Sequence, residues 1–117
     1  MREMIEVKTS ELIGYALDYL VGCAIHGVKP STKHAFAWRY QNDERKHPST
    51  EWRHGGPLIA GFAIGFVGHD ADNWLAISSP EDVEYRGVGE THLIAACRLI
   101  VMSKLGETVL VPKELVR

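Results

Sequence analysis

The sequence predicts an α+β domain, two main helices packed on a small, mostly antiparallel sheet. Three observations lead there. The stretches from Leu12 to Ile25 and from Thr91 to Leu105 carry helical apolar character and run into glycines. Short alternating or β-branched runs surround them, bounded by Gly, Asp and Asn. The 117 residues suffice for one domain and not for two, so 1–117 reads as a single unit.

Met4 to Lys8 alternates weakly and reads as a strand. Thr9 and Ser10 then offer a helix N-cap, with Glu11 in the first turn where a negative charge suits the helix dipole. Leu12, Ile13, Ala16, Leu17, Leu20, Val21, Ala24 and Ile25 mark the apolar face of the first helix, stopped by Gly27 and Pro30. Tyr15, Tyr19 and His26 form a ridge on its other side, with Asp18 and Gly22 beside them. Ala35 to Tyr40 reads as a strand with Phe36, Trp38 and Tyr40 on one side, followed by a polar loop from Gln41 to Lys46.

Pro48 to Pro57 reads as a turn. Phe62 to Val67 and Trp74 to Ile77 read as strands, and Ser78 to Gly89 as a turn-rich connection. The second helix, opened by Glu90 and Thr91 and stopped by Gly106, is apolar almost all round. Such a helix sits at the centre of a core or in a subunit interface, and its surplus apolar surface predicts a homo-oligomer. Val109 to Val111 reads as a final strand.

Hydrophobic residues make up 45% and charged residues 24%, which fits a globular chain and not a disordered one. A net charge of -2 supplies no cationic field, so nucleic-acid binding is disfavoured. Cys23 and Cys97 lie within helical stretches and form no disulfide or zinc pattern; they read as buried, reduced side chains. No apolar run approaches the ~20 residues of a membrane span, and Met1-Arg2-Glu3 does not open a signal peptide, so the expected location is the cytoplasm.

Binding chemistry concentrates between Pro48 and Pro57. Trp52 offers a stacking face, Arg53 and His54 offer donors, and Ser49 and Thr50 add hydroxyls. Gly55 and Gly56 let a backbone approach a ligand closely. Arg98 stands among Ile94, Val101 and Leu105 and therefore needs an anion, either a carboxylate of this chain (Glu11, Asp18 or Glu51) or one on a ligand. Thr91 and His92, at the start of the same helix, present amides toward a second anion. Trp74 is a further stacking surface.

The run from His69 to Asn73 fails the calcium-loop pattern because Leu75 stands where glycine is needed, so it reads as a solvated turn. No metal or cofactor set is expected. Gly-x-Ser-x-Gly elbows, phosphate-binding loops and dinucleotide fingerprints are all missing, and nothing in the sequence argues for a catalytic triad.

Three blocks resemble the NinX-like proteins of tailed phages, a family catalogued as a domain of unknown function. They are Val7-Lys8-Thr9-Ser10-Glu11-Leu12 with Ala16-Leu17-Asp18, Ser49-Thr50-Glu51-Trp52 through Gly55-Gly56-Pro57-Leu58-Ile59, and Thr91 through Leu93-Ile94-Ala95-Ala96-Cys97-Arg98 to Gly106. Gly61 to Gly89 diverges from the family pattern, and His92 stands where a proline is usual. The resemblance implies a small phage accessory protein made in the infected bacterium, with no established activity. Small phage proteins of other families sequester nucleotide immune signals, and by that analogy the expected ligand is an anionic nucleotide of ADP-ribose type. Trp52 and Trp74 would stack on the base; Gly55, Gly56, Arg53 and Arg98 would meet the phosphates. The alternatives are a modulator that binds a protein partner through the Tyr15–Tyr19 ridge or the apolar second helix, and a nucleotide-processing enzyme using His54 or His92.

Overall fold

Val109 and Val111, buried on one side of a five-residue run, find their partners at the other end of the chain. In the computed structural model, which describes residues 3–39 (36–39 as backbone) and 46–116, strand β1 (Met4–Lys8) pairs antiparallel with β5 (Thr108–Pro112). The register sets Ile5 opposite Val111 and Val7 opposite Val109, so β-branched side chains meet across one face. Thr9 does not cap a helix. Its hydroxyl donates to the Gly106 carbonyl (2.6 Å) and its amide to Glu107 (2.8 Å), which closes the two-stranded sheet at the end of the second long helix.

A turn of 3-10 helix at Thr9–Glu11 follows, and α1 (Gly14–His26) begins two residues later than the apolar spacing suggests, capped at Ile13 without a side-chain bond. It ends at Gly27, which adopts the left-handed conformation expected there (φ 66°). The helix is buried more completely than one apolar stripe would require. Tyr19, Asp18 and Cys23 are inside along with Leu17 and Leu20, whereas Ile13 and Ile25 are exposed. The predicted aromatic ridge is therefore broken, with Tyr15 at the surface and Tyr19 in the core.

The segment expected as a strand from Ala35 is helix α2 (Thr32–Arg39). Ser31 explains it: its hydroxyl accepts from the His34 amide (3.1 Å) while its carbonyl accepts from Ala35 (2.9 Å), a helix N-cap. Ala35 and Ala37 favour the helix and outweigh the alternation of Phe36 and Trp38. Tyr40 and the loop residues 41–45 lie outside the described residues.

The expected turn at Pro48–Pro57 is corrected as well, because its second half forms α3 (Trp52–Gly61). Pro57 sits inside it. Gly55 is required there by packing: a Cβ would lie 2.5 Å from the Pro48 carbonyl oxygen and 2.6 Å from a Leu93 methyl. The helix closes with two reciprocal bonds, Ile64 N–H to the Ile59 carbonyl (3.0 Å) and Ala63 N–H to Ala60 (3.1 Å), the Schellman arrangement. Ala63 occupies its left-handed position at φ 52°, where glycine is the ordinary choice. Ala63→Gly is accordingly expected to raise stability by about 1 kcal/mol in urea unfolding. A loss would show that the Ala63 methyl makes a contact worth more than the strain.

β2 (Gly65–Gly68), β3 (Trp74–Ser78) and β4 (Tyr85–Gly89) form an antiparallel meander. The glycine-rich connection hides β4 in the sequence, yet the glycines are its reason. Gly87 and Gly89 alternate on one face and bring the strand backbone against α4 (His92–Leu105). Among the described residues the expected single sheet is thus two small antiparallel sheets, and four α-helices accompany them. α4 runs through the middle, with Leu93, Ala95, Ala96, Cys97, Leu99, Ile100 and Val101 buried against α1, α3, β3 and β4. The apolar surface that suggested self-association is thereby covered within one chain. Both cysteines are buried free thiols. Burial pushes each pKa up, and Asp18 adds to this for Cys97, so both stay protonated.

Candidate functional site

The eleven residues expected to form one ligand site separate into three groups. The first surrounds a cavity of about 440 Å³ between α1, α2, residues 46–48 and α3. Arg53 and His54 reach it from the first turn of α3, joined by Lys46, His26 and His34. Among the described residues its wall holds one carboxylate, Asp18, which is already engaged. Asp18 Oδ1 accepts the Ser49 amide (2.8 Å), and Oδ2 lies 3.3 Å from His47 Nδ1. A carboxylate only accepts, so His47 carries its proton on Nδ1.

His54 is oriented by the same loop: its Nδ1 accepts the His47 amide (2.9 Å), which leaves the imidazole proton on Nε2 as a donor. Tyr19 supports the opposite wall. Its hydroxyl accepts the Ser31 amide (3.2 Å) and meets His34 Nδ1 at 2.9 Å. Burial holds its phenol well above the usual range, so Tyr19 is a neutral hydrogen-bonding post. Arg53 bonds Glu51 through Nε (2.9 Å) at the surface, a pair worth little in water, and its terminal nitrogens remain available for a bidentate anion. Ser49 is buried in this loop, and among the described residues its hydroxyl has no partner. Thr50 is exposed beside it.

The second group is aromatic and lies around the start of α4. Trp74 stacks on His92 (centroids 4.1 Å apart, 29° between planes), Trp52 lies 6.2 Å from the same ring, and Phe66 meets it edge-on at 4.8 Å. Phe66 carries no distinguishing signal in the sequence beyond its place in a strand. Trp52 is 59% exposed. Gly56 adjoins it, but a Cβ there would stand 3.9 Å from the indole, an ordinary contact, so packing does not demand glycine at this position. Thr91 is occupied as the helix N-cap, accepting the Ile94 amide (3.1 Å).

The third group is Arg98 alone. Its Nε donates to the Leu12 carbonyl (3.0 Å) and its Nη1 to the Val88 carbonyl (2.7 Å), tying the start of α1 to β4 across α4. Burial lowers its pKa and nearby Glu90 opposes the shift. Among the described residues the guanidinium is held by these two main-chain carbonyls, and no carboxylate of Glu11, Asp18 or Glu51 pairs with it. Arg98→Ala is expected to cost about 2–3 kcal/mol in denaturant unfolding, because two carbonyls lose a charged donor. The folded fraction should bind anions as before; a selective loss of binding would return Arg98 to the site.

A family model described as "Bacteriophage P22, NinX" matches residues 8–104. The chain belongs to the NinX family. The matched span runs from the end of β1 through α4, so all three groups fall inside it and β5 falls outside. No curated protein matches the sequence. Among the described residues of this phage-family chain, no helix is long and apolar enough to cross a membrane. No group of three or more His, Cys, Asp or Glu is placed to hold a metal ion among them either. The segment at His69–Asn73 is a turn closed on Asp70, whose carboxylate accepts the Asp72 amide and the Asn73 side chain (both 2.9 Å). Those bonds lower its pKa.

Proposed function

We propose that this NinX-family chain is a phage accessory protein that captures a small anionic ligand in the cavity between α1, α2 and α3. One observation supports the reading: Lys46, Arg53, His26, His34 and His54 converge on a cavity in which Asp18, the one carboxylate among the described lining residues, is already satisfied by Ser49 and His47. A wall of donors with its own acceptor engaged favours a ligand rich in acceptors, and phosphate esters are the common small molecules of that kind. A nucleotide signal of ADP-ribose type fits the volume, with the phosphates toward Arg53 and Lys46. Capture without conversion is the form that serves sequestration.

Thermal-shift and calorimetric titrations with inorganic phosphate, AMP, ADP-ribose and uncharged nucleosides test this. A ligand at a hundred times its Kd stabilises the native state by about 2.7 kcal/mol, a readily visible shift. Arg53→Ala and Lys46→Ala are each expected to weaken binding about tenfold or more. Uniform indifference to every phosphate would end the proposal, and a ligand recovered chemically altered would make the chain an enzyme.

A second reading, a protein-binding modulator, draws on the exposed indoles of Trp52 and Trp74 with Val67 nearby on β2. Pull-downs from infected cells with Trp52→Ala and Trp74→Ala would separate it from ligand capture.

A further inference from the structure

A second cavity, of about 680 Å³, lies away from the cationic one, where the end of α3, the β3–β4 connection and the last turn of α4 meet. Phe62, Ser78, Glu81, Tyr85, Ser103 and Lys104 face it. Two of the hydroxyls on its wall are directional. Ser78 Oγ donates its one proton to the Phe62 carbonyl (2.6 Å), and Ser103 Oγ donates to the Ile100 carbonyl (2.9 Å). Both oxygens therefore offer only lone pairs to an occupant. The C-terminal end of the α4 dipole adds partial negative charge, and Glu81 adds a full one.

Glu81 is held there against its own preference. It and Asp82 form the centre of a turn closed by Val83 N–H to the Pro80 carbonyl (3.0 Å), with φ of 52° and 66°. These are the torsions of a mirror-image turn that favours Asn and Gly. Ala63, also left-handed, lines the facing side. Strained non-glycine residues clustered on one concavity are a recognised mark of a site, because the side chain is retained where the backbone would prefer none. Lys104 brings the opposite charge, and among the described residues neither it nor Glu81 is held in an ion pair.

We infer that this second cavity binds a small zwitterion of the amino-acid class. Its ammonium group meets Glu81 and the Ser78 and Ser103 oxygens, its carboxylate meets Lys104, and its apolar part rests on Phe62 and Val83. The inference is independent of anion capture between α1 and α3.

Amide chemical-shift titration of the full chain tests it, using apolar α-amino acids and a series of ω-amino acids of increasing spacer length. N-acetylated and carboxamide forms serve as controls that each lack one charge. Saturable shifts are expected at Ser78, Glu81, Ser103 and Lys104, with about tenfold weaker binding or more when either end is capped. Glu81→Gln and Lys104→Met should each remove the response while leaving the melting temperature and phosphate binding intact. The inference is overturned if no member of the series shifts these amides, or if capped forms bind as well as free ones. The capped-ligand comparison uses the unaltered chain, so it decides the matter even if a variant fails to fold.

Discussion

Gly87→Ala is expected to destabilise the fold by about 3 kcal/mol or more, the upper end of what an overpacked core suffers. The added Cβ would lie 2.6 Å from the Leu99 amide nitrogen and in hard contact with the Ala95 carbonyl oxygen. Both are backbone atoms in the middle of α4, so no rotamer change can relieve the clash. The strand would have to lift off the helix, drawing β3 with it through the Gly87–Ala76 register. Gly68→Ala is the control: it lies at the surface on β2, and its new methyl would meet no atom within 4 Å. Urea denaturation should separate the two, Gly68→Ala staying within about 1 kcal/mol of the parent. A Gly87→Ala chain that unfolded near the parent midpoint would mean that β4 does not rest on α4 in solution.

Asp18→Ala is expected to cost about 3 kcal/mol and to weaken anion capture together with stability. Removing this acceptor leaves the buried Ser49 amide without its partner and takes away the carboxylate that His47 faces, and an orphaned donor costs more than the net worth of the bond. The loss propagates, because the His47 amide in turn orients His54. Asp18→Asn keeps the shape and one carbonyl acceptor, so it should recover about half the loss. Chemical denaturation monitored with phosphate titration on the same variants checks both consequences. If Asp18→Ala retained full stability, the loop from His47 to Glu51 would be held by something other than this carboxylate.

The fold is legible in the sequence where one period dominates. α4, β3 and β5 declare themselves through Leu93–Leu99 spacing, the Trp74–Ile77 run and Val109–Val111, and Gly27 and Gly106 mark the helix ends. Misreadings arise where two signals compete. At Phe36 and Trp38 a two-residue alternation hides a helix whose cap, Ser31, stands in plain view. At Gly55-Gly56-Pro57 turn chemistry masks a helix that only packing against Leu93 explains. In β4, glycine reads as a breaker although tight apposition to α4 demands it.

The candidate site is legible in part. Arg53 and His54 can be picked out from local composition, but the groups they meet come from α1 and α2, and nothing local announces that meeting. Asp18 does carry a signal, a lone acid amid Ala16, Leu17 and Leu20, since such a group is rarely buried unless partnered. Arg98 needs company for its charge, as its neighbours in sequence suggest. Its acceptors are main-chain carbonyls, one of them 86 positions away, and a carbonyl leaves no trace in the identity of its residue.

The joining of β1 to β5 has a bearing on how the protein is made. The Thr9 hydroxyl waits for a carbonyl 97 positions later, so a chain emerging from the ribosome keeps β1 single until β5 has been made. Until then Ile5 and Val7 present an open edge to the crowded cell. The meander and α4 can gather earlier from near neighbours, which leaves closure of the small sheet to follow them and makes slow translation between α4 and β5 a hazard for aggregation.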